Sequence, residues 1–283
     1  MIRLVYISIA AILMSCSETQ EEPNWILIEG GNGVFGDADG RVSETPAIEV
    51  DVTSFYLSET EVTNEMFNDF VLATNYVTDA EKSNVGLVFN EAWEIIEGAD
   101  WRHPLGPNFT IDRIMDHPVV QVSLNDAQAY CEWMGARLPT EIEWEFAARL
   151  ANSVSATKNI WSGEFPIDND IEDGYEFTAP VTEYEADELG LKHMSGNVWE
   201  WCQDKYNYEV HDILSTTEYH TQEAYLVNYF HPGFTDDSIH VIKGGSFMCH
   251  KNYCAGYRPE ARETGVKNES YFHVGFRIVK DIE

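Results

Sequence analysis

"KGGSFMCHKNYCAGYRPEAR", residues 243–262, sets Cys249 and Cys254 in C-x4-C spacing behind two glycines. Gly244 and Gly245 let the backbone bend or approach another segment closely. From the residues alone three chemistries compete. A short-loop disulfide is favoured by spacing in an exported chain, although so small a loop gains little from closure. Zinc wants four ligands, and no second C-x2-C or paired histidines accompany these cysteines. Two thiolates by themselves suit Cu(I), a soft ion that accepts few sulfurs and leaves a coordination position open.

Outside this stretch, 283 residues allow one large domain or two small ones, and 44% hydrophobic with 13% aromatic composition excludes disorder and a membrane bundle alike. Acidic residues outnumber basic ones 49 to 17, giving a formal charge of −32. Such a surface repels phosphate backbones, so nucleic acid is excluded as a partner, while a few of the carboxylates are available to Ca²⁺.

The start, "MIRLVYISIAAILMSC", places Arg3 before an uncharged run that is too short to span a bilayer. It reads as an export signal over residues 1–15. Leu13-Met14-Ser15-Cys16 resembles a bacterial lipobox, which predicts cleavage before Cys16, acylation of that cysteine and a short tether over 16–23. The chain is then expected to be an exported cell-envelope lipoprotein, periplasmic or outer-membrane facing, touching membrane only through its anchor. Cys131, Cys202, Cys249 and Cys254 remain, an even number that by count predicts two disulfides.

No repeat or linker interrupts residues 24–283, which predicts one domain. "NWILIEGGNGVFG" and "AIEVDVTSFYLSETEVT" alternate like strands, and "YFHVGFRIVK" returns to strand character at the end. Helices are predicted at "TNEMFNDFVLAT", at "SLNDAQAYCEWMG" with a Ser123 cap, a Gly135 stop and Cys131 on the core face, and at "LPTEIEWEFAARL" with Thr140 and Glu143 as a capping box. From about 151 to 240 no period lasts, which predicts a long loop-rich section pinned by ions or serving a site.

"GGSFMCHKNYCAGYR" closely resembles the active-site segment of the formylglycine-generating enzymes, the sulfatase-modifying factors. "NWILIEGGNGVFG", "ETEVTNEMFNDFV", "ADWRHPLGP", "HPVVQVSLNDAQAYCEWMGARLPTEIEWEFAAR", "NIWSGEFP", "GLKHMSGNVWEW" and "VGFR" extend the likeness over essentially the whole chain after residue 24. The cysteine pair, "ADWRHPLGP" and "NIWSGEFP" single out the catalytic branch within a wider superfamily. The implied fold is α+β, a single irregular, loop-rich domain of the formylglycine-generating enzyme, C-type-lectin-like kind with sparse regular secondary structure.

The resemblance implies a copper-dependent oxidase that uses O₂ to convert the cysteine of a C-x-P-x-R motif in unfolded sulfatases to Cα-formylglycine, acting as a monomer. Cys249 and Cys254 would hold Cu(I), with the client thiolate as third ligand; Ser246 and Tyr253 would form hydrogen bonds beside them; Trp101, Arg102 and Arg258 would line the peptide groove. His250 is read as structural. One structural Ca²⁺ would take Asn159, Asp173 and the carbonyls of Ile160 and Tyr175. A second would take Gly196, Val198, Glu200 and His193, the last standing where the family commonly has Asn. Disulfides of animal members do not carry over, since the partner position of Cys131 is Ile278; Cys131 and Cys202 are left as buried thiols or as a pair. The competing implication is a non-catalytic envelope lipoprotein of the same fold that binds or scaffolds. A sulfoxide synthase would need an iron-binding histidine cluster, and no such spacing occurs.

Overall fold

Helix starts follow the hydroxyl caps. Helix α1 (Asn64–Thr74) opens at Thr63, whose Oγ1 accepts from the Met66 amide at 3.1 Å, and stops at Asn75 in the left-handed region. The short α2 (Asp79–Ser83) has a Thr78 and Glu81 capping box, α3 (Leu124–Met134) runs from Ser123 to Gly135, and α4 (Glu141–Leu150) carries the reciprocal Thr140 and Glu143 bonds. Helix α5 (Val210–Thr216) was not foreseen.

The computed structural model describes residues 22–151, 158–216 and 238–282. The expected signal over 1–15 and Cys16 lie outside the described residues, and among these no helix is long and apolar enough to cross a membrane.

The strands are short: β1 (Trp25–Ile28), β2 (Gly31–Phe35), β3 (Ile48–Val52), β4 (Phe55–Ser58), β5 (Val85–Asn90), β6 (Ala92–Glu97), β7 (Gly163–Glu164), β8 (Asp168–Asn169), β9 (Trp199–Lys205), β10 (Ile239–Lys243), β11 (Glu263–Val266), β12 (Val274–Gly275) and β13 (Val279–Asp281). They form a three-stranded sheet β1-β4-β13, a four-stranded sheet β11-β10-β9-β12 with β12 parallel to β9, and hairpins β2-β3, β5-β6 and β7-β8. The β3 pattern Ile48, Val50, Val52 is buried on alternate residues, as its sequence predicted. Strand β9, in contrast, is buried at Trp199, Glu200, Trp201 and Cys202 in succession, so it lacks alternation and sat unread inside the supposed loop section.

Two apolar cores meet at this sheet. One gathers β1 to β4 under α4; the other packs α1 and α3 against β9, with Phe67, Tyr130, Trp201 and Phe276 fully enclosed. Burial of one such aromatic stabilises by about 2 kcal/mol. A smaller cluster of Phe247, Met248 and Phe272 lies beneath the β5-β6 hairpin. Charged groups cross the interior in pairs: Lys243 Nζ lies 2.9 Å from Glu145, Arg262 grips Glu141 through two bonds of 2.8 Å, and Arg277 grips Glu200 at 2.6 and 2.7 Å. Cys131 faces the core as predicted, and Cys131 and Cys202 are both unpaired buried thiols, so the count-based expectation of a second disulfide is corrected.

Candidate active site

Strand β10 delivers the chain to Gly244 and Gly245, at φ 92° and 74°. A Cβ on Gly245 would stand 2.7 Å from the backbone of Gly256, so only glycine lets the outgoing and returning arms of the loop touch. Ser246, fully buried, then fixes Cys249: its amide donates to the Cys249 sulfur at 3.4 Å, and its carbonyl accepts from the Cys249 amide at 2.8 Å. Its Oγ accepts from the Met248 amide at 3.3 Å. Cys249 is enclosed and Cys254 half-buried; their Cα atoms are 5.5 Å apart and the sulfurs are joined as a disulfide.

Both sulfurs, Ser246 and Tyr253 line one cavity of about 360 Å³. Tyr253 is half exposed and stacks on Phe165 with centroids 4.1 Å apart. Burial, and then the Glu263 carboxylate, push its phenol above the ordinary value. The pair fits Cu(I) on reduction: two soft donors stand side by side, preset by the backbone, with their open side toward a cavity. His250 takes no place on that cavity wall; its Nδ1 accepts from the Asn252 amide at 3.3 Å within the same loop.

Several contributors were not foreseen. Arg41 donates to the Cys254 carbonyl, tying the loop to a segment more than two hundred residues earlier. His273 lines the cavity beside Trp93, at 5.0 Å between ring centroids, and burial lowers its imidazole to about 3. Its Nδ1 has no hydrogen-bond partner among the described residues. The sequence signal for it was slight, a histidine at the start of the terminal strand pattern.

Of the residues expected at the peptide groove, none stands on the wall of this cavity. Trp101 is fully buried against Phe67, at 5.2 Å, because α1 and α3 need a large apolar filler there. Arg102 lies over the Trp101 ring at 4.1 Å and bonds Glu81 at 2.7 Å. Arg258 is engaged by Glu44 at 2.8 and 3.1 Å and by Glu260 at 2.8 Å, and its Nε donates to the Ala255 carbonyl at 3.3 Å. It braces the loop behind Cys254 and does not line the cavity.

Of the two oxygen sets, the first comes together. Asp173 accepts from the Ile160 and Tyr175 amides, each at 3.1 Å, which draws the Asn159-Ile160 and Asp173-Tyr175 turns against each other. Asn159 spends its amide hydrogens on Phe177 and Asn197, leaving a fully buried Oδ1 without a partner among the described residues. A fully buried oxygen without a partner among the described residues, one residue from an amide that Asp173 binds, is what Ca²⁺ would satisfy. The second set does not fit. Both Glu200 oxygens face Arg277, and one also accepts from Trp144 Nε1 at 2.7 Å. His193 is turned to the Pro180 carbonyl at 3.1 Å, with its imidazole lowered to about 4 by burial and by Arg277. The guanidinium therefore already supplies the positive charge that the Glu200 carboxylate needs.

The loop-rich α+β domain falls in a known protein class, to which the chain belongs: the sulfatase-modifying factor enzyme 1-like domain family matches residues 11–282. Relatives include the formylglycine-generating enzyme of Mus musculus, 39% identical over 88% of this chain and 73% of that one. The formylglycine-generating enzyme of Streptomyces coelicolor is 38% identical over 91% of this chain and 89% of its own. The structure of PvdO from Pseudomonas aeruginosa superposes with TM-score 0.68 over 92% of this chain and 95% of that chain at 19% identity, a likeness of fold.

Proposed function

We propose that the protein matures sulfatases by oxidising a client cysteine to Cα-formylglycine. The observation that carries this is the Cys249 and Cys254 pair, held by Ser246 and opening with Tyr253 on one cavity, in a chain 38–39% identical to named formylglycine-generating enzymes. The client is an unfolded sulfatase segment bearing C-x-P-x-R, since a cavity of about 360 Å³ admits a side chain or two and no folded domain. Overall, R–CH₂–SH, O₂, two electrons and two protons give R–CHO, H₂S and water, the electrons coming from an external thiol reductant.

The resident ion is Cu(I), held by Cys249 and Cys254 once their disulfide is reduced; it would supply the soft binding of the client sulfur and the activation of O₂. The residues around it do the rest. Ser246 fixes the position of Cys249, Arg41 and Arg258 fix the Cys254 arm, and Tyr253, stacked on Phe165, forms one wall of the cavity. Ca²⁺ at Asn159, Ile160, Asp173 and Tyr175 would hold the Ile160 and Asp173 turns together. A monomer, exported and lipid-anchored at Cys16, would meet its client after export and before folding.

Mass spectrometry of a C-x-P-x-R peptide incubated with the reduced, copper-loaded protein and O₂ tests the proposal. An aldehyde product is expected; its absence, or full activity in Cys254→Ala, overturns the oxidase.

A further inference from the structure

The sheet β1-β4-β13 has one wet face, and that face is apolar. Leu27 stands opposite Tyr56, and Tyr56 opposite Lys280, on the side away from the core that takes Ile28, Phe55, Leu57 and Val279. Trp25 shares this side on β1, and Ile282, the residue after β13, continues the row from Lys280. Leu27, Tyr56 and Ile282 are 44%, 36% and 47% exposed, where a solvated strand face ordinarily carries polar residues. Glu22, six residues after Cys16, is clasped to the same face. Its carboxylate accepts from the Trp25 indole and from Lys280 Nζ, each at 3.0 Å, and Lys280 Nζ lies 4.7 Å from the centre of the Trp25 ring.

We infer that this face rests on the bilayer surface when Cys16 is acylated, with Leu27, Tyr56 and Ile282 dipping into the headgroup boundary. The inference rests on the lipid-anchor part of the proposed function and adds a second contact to it. Reach argues for it. Six residues from Cys16 to Glu22 span at most about 20 Å fully extended, against roughly 45 Å for the width of a domain of this size, so the anchor brings only the Glu22 side to the lipid. Chemistry argues for it as well. Tyr and Trp suit a boundary that is apolar on one side and wet on the other, and a lysine there lays its stem on apolar surface while its ammonium stays in water. Glu22 is matched by Lys280, and Asp281 by Arg137 at 2.7 Å, so the face carries little net charge in a chain of −32. Glu29, exposed just past β1, favours zwitterionic over anionic lipid. The row is too small to hold a protein on lipid by itself; next to acyl chains it fixes which side faces down.

The test uses the full chain, acylated at Cys16 and reconstituted into phosphatidylcholine vesicles with brominated acyl chains. A fluorophore is attached in turn at Leu27→Cys, Tyr56→Cys, Ile282→Cys and Ile167→Cys without reductant, when Cys131 and Cys202 are buried and Cys249 and Cys254 are joined. Ile167, in the turn of the β7-β8 hairpin, is the control: at 77% it is more exposed than any of the three, yet it belongs to another sheet. Bromine is expected to quench the labels at 27, 56 and 282 at least about twofold more than the label at 167. Leu27→Glu combined with Ile282→Glu should melt within about 2 °C of wild type, both side chains being solvated, and should remove the quenching at Tyr56→Cys. Three results overturn the docking: equal quenching at all four positions, none at any of them in acylated protein, or shielding of the three from an aqueous quencher before lipid is added, as a second copy on this face would give. The mass of the N-terminal peptide reads the anchor separately. An unmodified Cys16 overturns the anchor and the docking with it, whereas an acylated Cys16 without quenching overturns the docking alone.

Discussion

Gly256 lies against Cys249: a Cβ on it would stand 3.0 Å from the Cys249 sulfur and 2.4 Å from the Trp199 ring. The returning arm of the loop thus forms the wall behind the cysteine pair, and Trp199 of strand β9 backs that wall. Gly256→Ala is expected to destabilise the protein by about 1–3 kcal/mol through overpacking and to lower turnover more than peptide affinity. Thermal melting together with steady-state kinetics on a client peptide checks this; an unchanged melting temperature with full turnover would contradict it.

The pairing of Lys243 with Glu145 at 2.9 Å, with Glu141 at 3.8 Å, leaves no exposed atom on the lysine side chain. Lys243→Met would strand buried carboxylates, at a cost of about 3–5 kcal/mol, whereas loss of an exposed pair such as Lys82 with Asp79 should cost under about 1 kcal/mol. Urea unfolding of the two variants compares them directly.

Calcium should raise thermal stability through the first oxygen set. At a hundredfold excess over its dissociation constant a ligand adds about 2.7 kcal/mol, and the increment should vanish in Asp173→Ala and after chelation. Asn159→Asp is expected to keep or strengthen it. Melting with and without Ca²⁺ decides; an equal calcium response in wild type and Asp173→Ala removes the site.

Glu61 supplies a pH dependence. Enclosed, with Oε2 lacking a partner among the described residues, its carboxyl is raised from 4.5 to about 7 by burial, which Arg277 only partly offsets. A raised folded value means the native state holds the proton longer. The contribution is complete below pH 4.5 and is lost as pH rises through 7, about 3 kcal/mol in all. His193 and His211, both lowered to about 4, act in the opposite sense, so the comparison is wild type against Glu61→Gln. The stability difference between the two should shift by that amount between pH 4.5 and 7.5; a constant difference would refute it.

Alkylation separates the cysteines. Burial raises the thiols of Cys131 and Cys202 well above their usual range, so neither should react in the native protein. Both should label on denaturation without reductant, and Cys249 and Cys254 only after reduction, as peptide mass mapping would show.

What was legible beforehand was local. Thr63, Ser123 and Thr140 announce three helices because a cap needs only a hydroxyl and the next turn, and β3 reveals itself because one of its faces is wet. The cysteine spacing, with Ser246 and Tyr253 around it, identified the loop that forms the cavity wall. Strand β9 stayed hidden because burial on both faces erases alternation.

Sequence by itself determined the family, the loop that carries the cysteine pair and the caps, all properties of residues close along the chain. Tertiary structure decided which long-range partner each side chain meets. Trp101 became core because α1 and α3 close over it, and Arg258 became a brace because Glu44 waits inside. Glu200 met Arg277 from the far end of the chain, while the Asn159 oxygen was left without a partner among the described residues. A buried charge must find its counter-charge wherever the fold brings one, and no spacing rule reports a contact across seventy or two hundred residues.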